Sequence, residues 1–83
     1  MYNVLIDKPV LKELEKIPQP DYTRIKETIL NLARNPRPAG YKKLKNRIGY
    51  RVRQGNYRII YNIFENKLII QVLAIGHRKD IYE

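Results

Sequence analysis

An α+β domain, with a helical hairpin packed on one face of an antiparallel sheet, is the fold class this sequence predicts. Three observations predict it. Two stretches near the N-terminus carry apolar residues at helical spacing. Three runs in the second half have strand composition with turn residues between them. The pairing those turns impose gathers apolar side chains on one face of the sheet. The expected order is an N-terminal strand, the helical hairpin and then a three-stranded antiparallel meander, in a single domain spanning residues 1–83.

Residues 2–6, YNVLI, are apolar and β-branched enough for a strand. Asp7 followed by Pro9 marks a helix start: a carboxylate to cap, then a fixed φ in the first turn. Val10, Leu14 and Ile17 fall at i, i+4 and i+7 and give this helix one apolar stripe. Pro18 and Pro20 stop it and start a second, in which Tyr22, Ile25, Ile29 and Leu32 repeat the period until Asn35-Pro36 ends it. So short a connection makes the pair a helical hairpin. Residues 36–49, PRPAGYKKLKNRIG, follow neither period and read as a basic loop pinned by Leu44 or Ile48. Strands are expected at 50–54, 57–64 and 67–75. Gly55-Asn56 between the first two is a two-residue hairpin signal, and Glu65-Asn66 is a weaker one.

A two-residue turn at Gly55-Asn56 sets Arg53 opposite Arg58, Val52 opposite Ile59 and Arg51 opposite Ile60. A two-residue turn at Glu65-Asn66 continues the pattern with Asn62 opposite Ile69, Ile60 opposite Gln71 and Arg58 opposite Leu73. Opposed residues share a face, and faces alternate along each strand. Arg51, Arg53 and Arg58 therefore share one face with Ile60, Asn62, Ile69, Gln71 and Leu73. The other face, Val52, Tyr57, Ile59, Tyr61, Ile63, Leu68, Ile70, Val72 and Ala74, is far more uniformly apolar and is the seat for the helices. The arginine face is expected to stay open.

Charge singles out the same region. No acidic residue lies between Glu27 and Glu65, while Arg34, Arg37, Lys42, Lys43, Lys45, Arg47, Arg51, Arg53 and Arg58 do. Those nine account for the whole net charge of +9, and the rest of the chain balances at eight basic and eight acidic residues. A concentrated excess makes a field that attracts a polyanion, nucleic acid first among them. With no cysteine and one histidine, structural zinc, thiol nucleophiles and disulfides are excluded. No metal and no cofactor is expected. The N-terminus lacks the pattern of a secretion signal, and the longest apolar stretch, 68–75, is far too short to span a bilayer. A soluble cytoplasmic protein with no membrane partner is the expectation. Hydrophobic content of 43% argues against disorder.

Two arginines directly opposed across a hairpin repel, at a cost of a few tenths to about 1 kcal/mol. Guanidinium forks suit phosphate oxygens, so a face that keeps such an arrangement points to phosphate contact. The alternative is a set of solvated strand residues whose stems cover apolar surface. After the last expected strand, residues 76–83 bring His77, Arg78 and Tyr82 to the end of the sheet beside this face. A lone histidine is more often structural than catalytic, and a terminal tyrosine can simply cover core.

The runs 49–53 (GYRVR), 55–61 (GNYRIIY) and 75–82 (IGHRKDIY) resemble the RelE branch of the RelE/ParE toxin superfamily, and the preceding strand and helical hairpin fit as well. The resemblance implies a RelE-like fold and a toxin of a type II toxin–antitoxin system, held inactive by a cognate acidic antitoxin. It implies a ribosome-dependent, metal-free endoribonuclease that cleaves mRNA in the A site. Operator DNA would be reached only through the antitoxin. Position by position, Arg51 and Arg53 match the family's basic pair, often lysine there. Arg58 matches the arginine of the next strand, Arg78 the arginine after the last strand, and Tyr82 the C-terminal tyrosine. The same superfamily includes ParE-type gyrase poisons, and an inactive relative that only binds its antitoxin is a third possibility.

Metal-free cleavage uses the neighbouring 2′-hydroxyl as nucleophile, so a site must take one proton, give one and stabilise charge on the phosphorane. In this scheme Arg51 and Arg58 hold the phosphate and Arg53 stabilises the transition state. Tyr82 is the general base and Arg78 stabilises the leaving oxygen, because arginine cannot give up its proton at workable pH. His77 competes for the acid or base role and is otherwise expected to contact RNA. Lys42, Lys43, Lys45 and Arg47 are expected to grip the ribosomal RNA backbone.

Overall fold

The computed structural model describes residues 1–77, which place two helices on one face of a five-stranded mixed sheet. β1 (Asn3–Ile6) leads into α1 (Lys8–Glu15) and α2 (Asp21–Leu32). β2 (Lys42–Lys43), β3 (Tyr50–Gln54), β4 (Tyr57–Phe64) and β5 (Ile69–His77) follow. The sheet order is β1-β5-β4-β3-β2, with β1 parallel to β5 and the remaining neighbours antiparallel. The expected meander is therefore the centre of a wider sheet.

Both helices form where the apolar spacing puts them. Asp7 holds the cap position of α1 but makes no side-chain capping bond. One of the two N–H groups within reach of such a cap belongs to Pro9, which has none. At the start of α2 Gln19 takes that role instead, its Oε1 accepting from Thr23 N (3.2 Å) and Thr23 Oγ1 (2.8 Å). Leu14 of α1 and Ile25, Ile29 and Leu32 of α2 bury themselves with Val52, Ile59, Tyr61, Ile70, Val72 and Ile75 of the sheet. Each such side chain stabilises the fold by roughly 1.5–3 kcal/mol. α1 lies over β5 and α2 over β3, and Tyr2 N donates to Ala33 O (2.9 Å), tying β1 to the end of α2.

The β3–β4 hairpin has the expected register, residue for residue: Arg53 faces Arg58, Val52 faces Ile59 and Arg51 faces Ile60. Gly55, at φ +60, supplies the left-handed position the tight turn demands. The next connection differs. The chain turns over residues 65–68, with Lys67 N donating to Phe64 O (3.2 Å), Leu68 N donating to Glu65 O (3.3 Å), and Leu68 at φ 54. Leu68, expected in the core, is exposed. Asn62 consequently faces Gln71 rather than Ile69, a slip of two that leaves Ile70 and Val72 on the core side. An irregularity follows, because Tyr61 pairs with Val72 but Ile60 pairs with Ala74. Leu73 is the extra residue, and the parity changes there. Ile75 thus replaces Ala74 in the core, and Arg58 faces Gly76 rather than Leu73.

Residues 36–49 are not all loop. Lys42 and Lys43 add an edge strand, Lys42 opposite Arg51 and Lys43 opposite Tyr50. Leu44, 4% accessible, is the pin, whereas Ile48 is exposed. Leu44 N donates to Gly49 O (3.0 Å) and closes the segment back on itself. Gly49, at φ +129, passes so near the sheet that a Cβ there would lie 3.0 Å from Tyr61 O, with Leu44 and Leu73 beside it. This segment covers part of the face expected to be open.

Candidate functional site

The sheet face turned away from the helices carries two direct rows that matter. One runs Lys42, Arg51, Ile60, Ala74 and the other Arg53, Arg58, Gly76. Alternation along the hairpin brings Arg51, Arg53 and Arg58 to one face, as the turn chemistry requires. Their environments are graded. Arg51 is 2% accessible and Ile60 is fully buried. Arg58 is half-buried with an inaccessible Nε, and Arg53 is exposed. The expectation of an open face holds at Arg53, in part at Arg58, and not at Arg51. Arg51 lies in the row that β2 extends, while β2 ends before it reaches Arg53.

A guanidinium is tolerated inside a protein only when other groups meet its charge and its N–H donors. Arg51, Arg53 and Arg58 all take part in intramolecular interactions, as does His77. A phosphate at Arg53 and Arg58 must therefore exchange with contacts already made. The sequence from Thr28 to Phe64 holds no carboxylate, although Asp21 of α2 comes to the hairpin turn, its Oδ1 3.8 Å from where a Cβ on Gly55 would lie. Gly76 completes the second row without a side chain, so the sheet is lowest next to Arg58.

His77 is placed elsewhere. It stands opposite Tyr57, with the two rings edge to face at 5.5 Å between centroids. Tyr57 packs against the core cluster, so His77 faces the helices, near Glu13, Lys16 and Ile17 at the end of α1, and not the arginine pair. Arg78 and Tyr82 lie outside the described residues. Lys42, Lys43, Lys45 and Arg47 are all exposed, and Lys42, Lys43, Lys45 and Asn46 line a cleft of about 340 Å³. Because neighbours on a strand point to opposite faces, Lys42 belongs with Arg51 and Lys43 with Tyr50. Among the described residues no group of three or more His, Asp or Glu could hold a metal ion.

Sequence reasoning missed one constellation. Tyr61, Tyr50 and Tyr41 step outward from core to solvent on the helix side of the sheet. Centroids are 5.8 Å apart for Tyr50–Tyr61 and 6.0 Å for Tyr41–Tyr50. The Tyr61 hydroxyl donates to Pro36 O at 2.6 Å, and burial pushes its pKa up to about 12. The Arg37 guanidinium sits 5.6 Å from the Tyr50 ring centre and bonds Glu65 at 2.7 Å, a partner that raises its pKa further. Tyrosines alternating with basic residues through the acid-free stretch were the available signal.

Comparison with known proteins gives a consistent picture. A family model described as ParE toxin of type II toxin-antitoxin system, parDE, matches residues 4–82. A Methanocaldococcus jannaschii chain designated toxin RelE1 is 35% identical over 86 aligned positions, spanning 99% of this chain and 96% of its own. A chain of the archaeal RelE–RelB complex from Pyrococcus horikoshii superposes with a TM-score of 0.83 at 31% identity, over 96% of this chain and 98% of that one. The isolated RelE toxin of E. coli shares the fold, with a TM-score of 0.79 at 22% identity over 93% of this chain and 84% of its own.

Proposed function

This chain belongs to the RelE/ParE family of toxins of type II toxin–antitoxin systems, and from that premise we propose that it is a ribosome-dependent endoribonuclease that cuts mRNA in the A site. The observation that carries the proposal is the direct pairing of Arg53 with Arg58 on the helix-free face, beside Gly76 and in a segment without carboxylates. Paired guanidinium groups grip a phosphate bidentately and stabilise the charge that gathers on it. In the reaction the 2′-hydroxyl oxygen attacks the adjacent phosphorus and loses its proton. The bond to the 5′-oxygen breaks, that oxygen takes up a proton, and a 2′,3′-cyclic phosphate remains. Arg53 and Arg58 hold the phosphate. Arg51, being buried, adds to the positive field rather than touching RNA. Tyr82 as general base and Arg78 at the leaving oxygen complete the scheme.

A cognate antitoxin is the natural partner, since solved relatives from Pyrococcus horikoshii and Mycobacterium tuberculosis are toxin–antitoxin complexes. An acidic segment would complement the basic face. An amphipathic helix would suit the apolar groove lined by Val4, Ile6, Leu11, Leu14, Ile29 and Leu30.

The name of the matched family model favours one rival, a ParE-like gyrase poison. Reconstituted translation with mapped mRNA ends separates the readings. Ribosome-dependent cuts, reduced about 10²- to 10³-fold in Arg53→Ala or Arg58→Ala, support the nuclease. A block of DNA supercoiling without cuts supports the gyrase reading and overturns the proposal. Antitoxin binding with neither activity leaves an inactive homologue and overturns it as well.

A further inference from the structure

We propose that Tyr41 stacks an unpaired RNA base, with Lys43 taking the adjoining phosphate, at a second contact surface on the opposite side of the sheet from Arg53 and Arg58. The choice of RNA rests on the preceding reading, whereas the stacking does not. The tyrosine staircase supplies a rigid support. Tyr61 is wholly buried and anchored through its hydroxyl to Pro36 O at 2.6 Å. Tyr50 lies directly across β3–β4 from it and is braced by the Arg37 guanidinium. Tyr41 ends the series at 36% accessibility. It is presented by a turn in which its N–H donates to Pro38 O (3.0 Å), with Gly40 at φ +86. An exposed ring on such a support loses little freedom when a base settles on it, which is what a stacking platform needs.

Charge selects the occupant. Lys43 stands directly across from Tyr50, and Lys42 and Lys45 share its cleft. Among the described residues the acidic side chain bonded to this group, Glu65, is engaged by Arg37 at 2.7 Å. A site that combines a π-face with cations matches single-stranded nucleic acid, which offers a flat base and a phosphate on every residue. An acidic peptide would use the cations and leave the ring idle. With β2 the edge strand, Lys42 on one face and Lys43 on the other let the RNA strand pass around the sheet edge between the two surfaces.

The test uses the full chain and a fluorescein-labelled hexauridylate carrying 2′-O-methyl groups, which cannot be cut, followed by polarisation. Tyr41→Ala should weaken binding about fivefold or more, and Tyr41→Phe should stay within about twofold, because stacking needs the ring and not the hydroxyl. The same oligomer made abasic should bind the wild-type chain as weakly as the intact oligomer binds Tyr41→Ala. Arg53→Ala should lower affinity for intact and abasic oligomers alike. Equal affinities for intact and abasic oligomers on the wild-type chain would overturn the proposal, even if Tyr41→Ala failed to fold. So would a polyglutamate peptide whose binding falls with Tyr41→Ala as far as that of RNA, which would give the surface to an acidic protein segment. Base-dependent binding without ribosomal cleavage would keep the stack and remove the nuclease reading.

Discussion

Tyr61→Phe isolates one hydroxyl that ties the basic segment to the sheet. The ring is fully buried and directly opposite both Tyr50 and Val72, so phenylalanine fits the same space. What disappears is the donation to Pro36 O at 2.6 Å, where residues 36–49 leave the helical hairpin. Pro36 is half-buried, so water can partly replace the lost donor. The cost should be about 1–1.5 kcal/mol near neutral pH, or about 4–12 °C in Tm for a domain this small. pH provides the stricter check. Burial raises the Tyr61 pKa from 10.0 to about 12, so the folded state holds this proton more tightly than the unfolded chain. The associated stability is complete below pH 10 and is lost as pH rises toward 12, by about 1.4 kcal/mol per unit. The other tyrosines and the lysines titrate in both proteins and cancel in the difference. Urea unfolding of both proteins from pH 8 to 12 should show wild type ahead by a constant margin up to about pH 10, a crossing near pH 11 and the variant ahead above it. Parallel profiles through pH 11 would refute the assignment of Tyr61 as a buried, hydrogen-bonded phenol.

Two further variants probe how the basic segment closes on the sheet. Leu44→Ala removes its buried pin and should cost about 2–3 kcal/mol in urea unfolding, whereas Ile48→Ala, at an exposed site, should cost less than about 0.5 kcal/mol. Gly49→Ala combines a φ of +129 with a Cβ 3.0 Å from Tyr61 O, whereas Gly40→Ala meets nothing within 4 Å at φ +86. Gly49→Ala should therefore be the more destabilising of the two, by about 1 kcal/mol or more. Equal values would mean that the backbone here is not clamped.

Where local chemistry decides geometry, the sequence could be read down to single pairs. Gly55-Asn56 imposes a two-residue turn, and every β3–β4 pair follows from it. Glu65-Asn66 imposes nothing, and the chain took four residues instead, ending on Leu68 with positive φ. The hydrophobic alternation survived because the slip was even, and it failed only at Leu73, where no Gly or Pro announces an extra residue. Lys42–Lys43 carries no strand signature. Its pairing is decided by what lies next to β3, although lysine on an edge strand is what protects an edge from foreign pairing. The candidate site shows the same division. Alternation identifies the face that carries Arg51, Arg53 and Arg58 but cannot say what covers that face. For His77, the parity change at Leu73 turned the end of β5 over and delivered the ring to the helix side.

The three arginines differ in burial and in their place relative to β2. A two-residue edge strand pairs with Tyr50 and Arg51 and goes no further. Arg51 is flanked by Lys42 and Ile60 in its row and is 2% accessible. Arg53 and Arg58 lie past the end of β2, at the tip of the hairpin, with Gly76 as the third member of their row. Charge nearby is still felt when it is buried, since screening by salt and water is weakest there. In the proposed reaction Arg51 would favour an anion at Arg53 and Arg58 through its field. Arginine suits that position better than lysine would, because burial that would strip a lysine of its proton leaves a guanidinium charged.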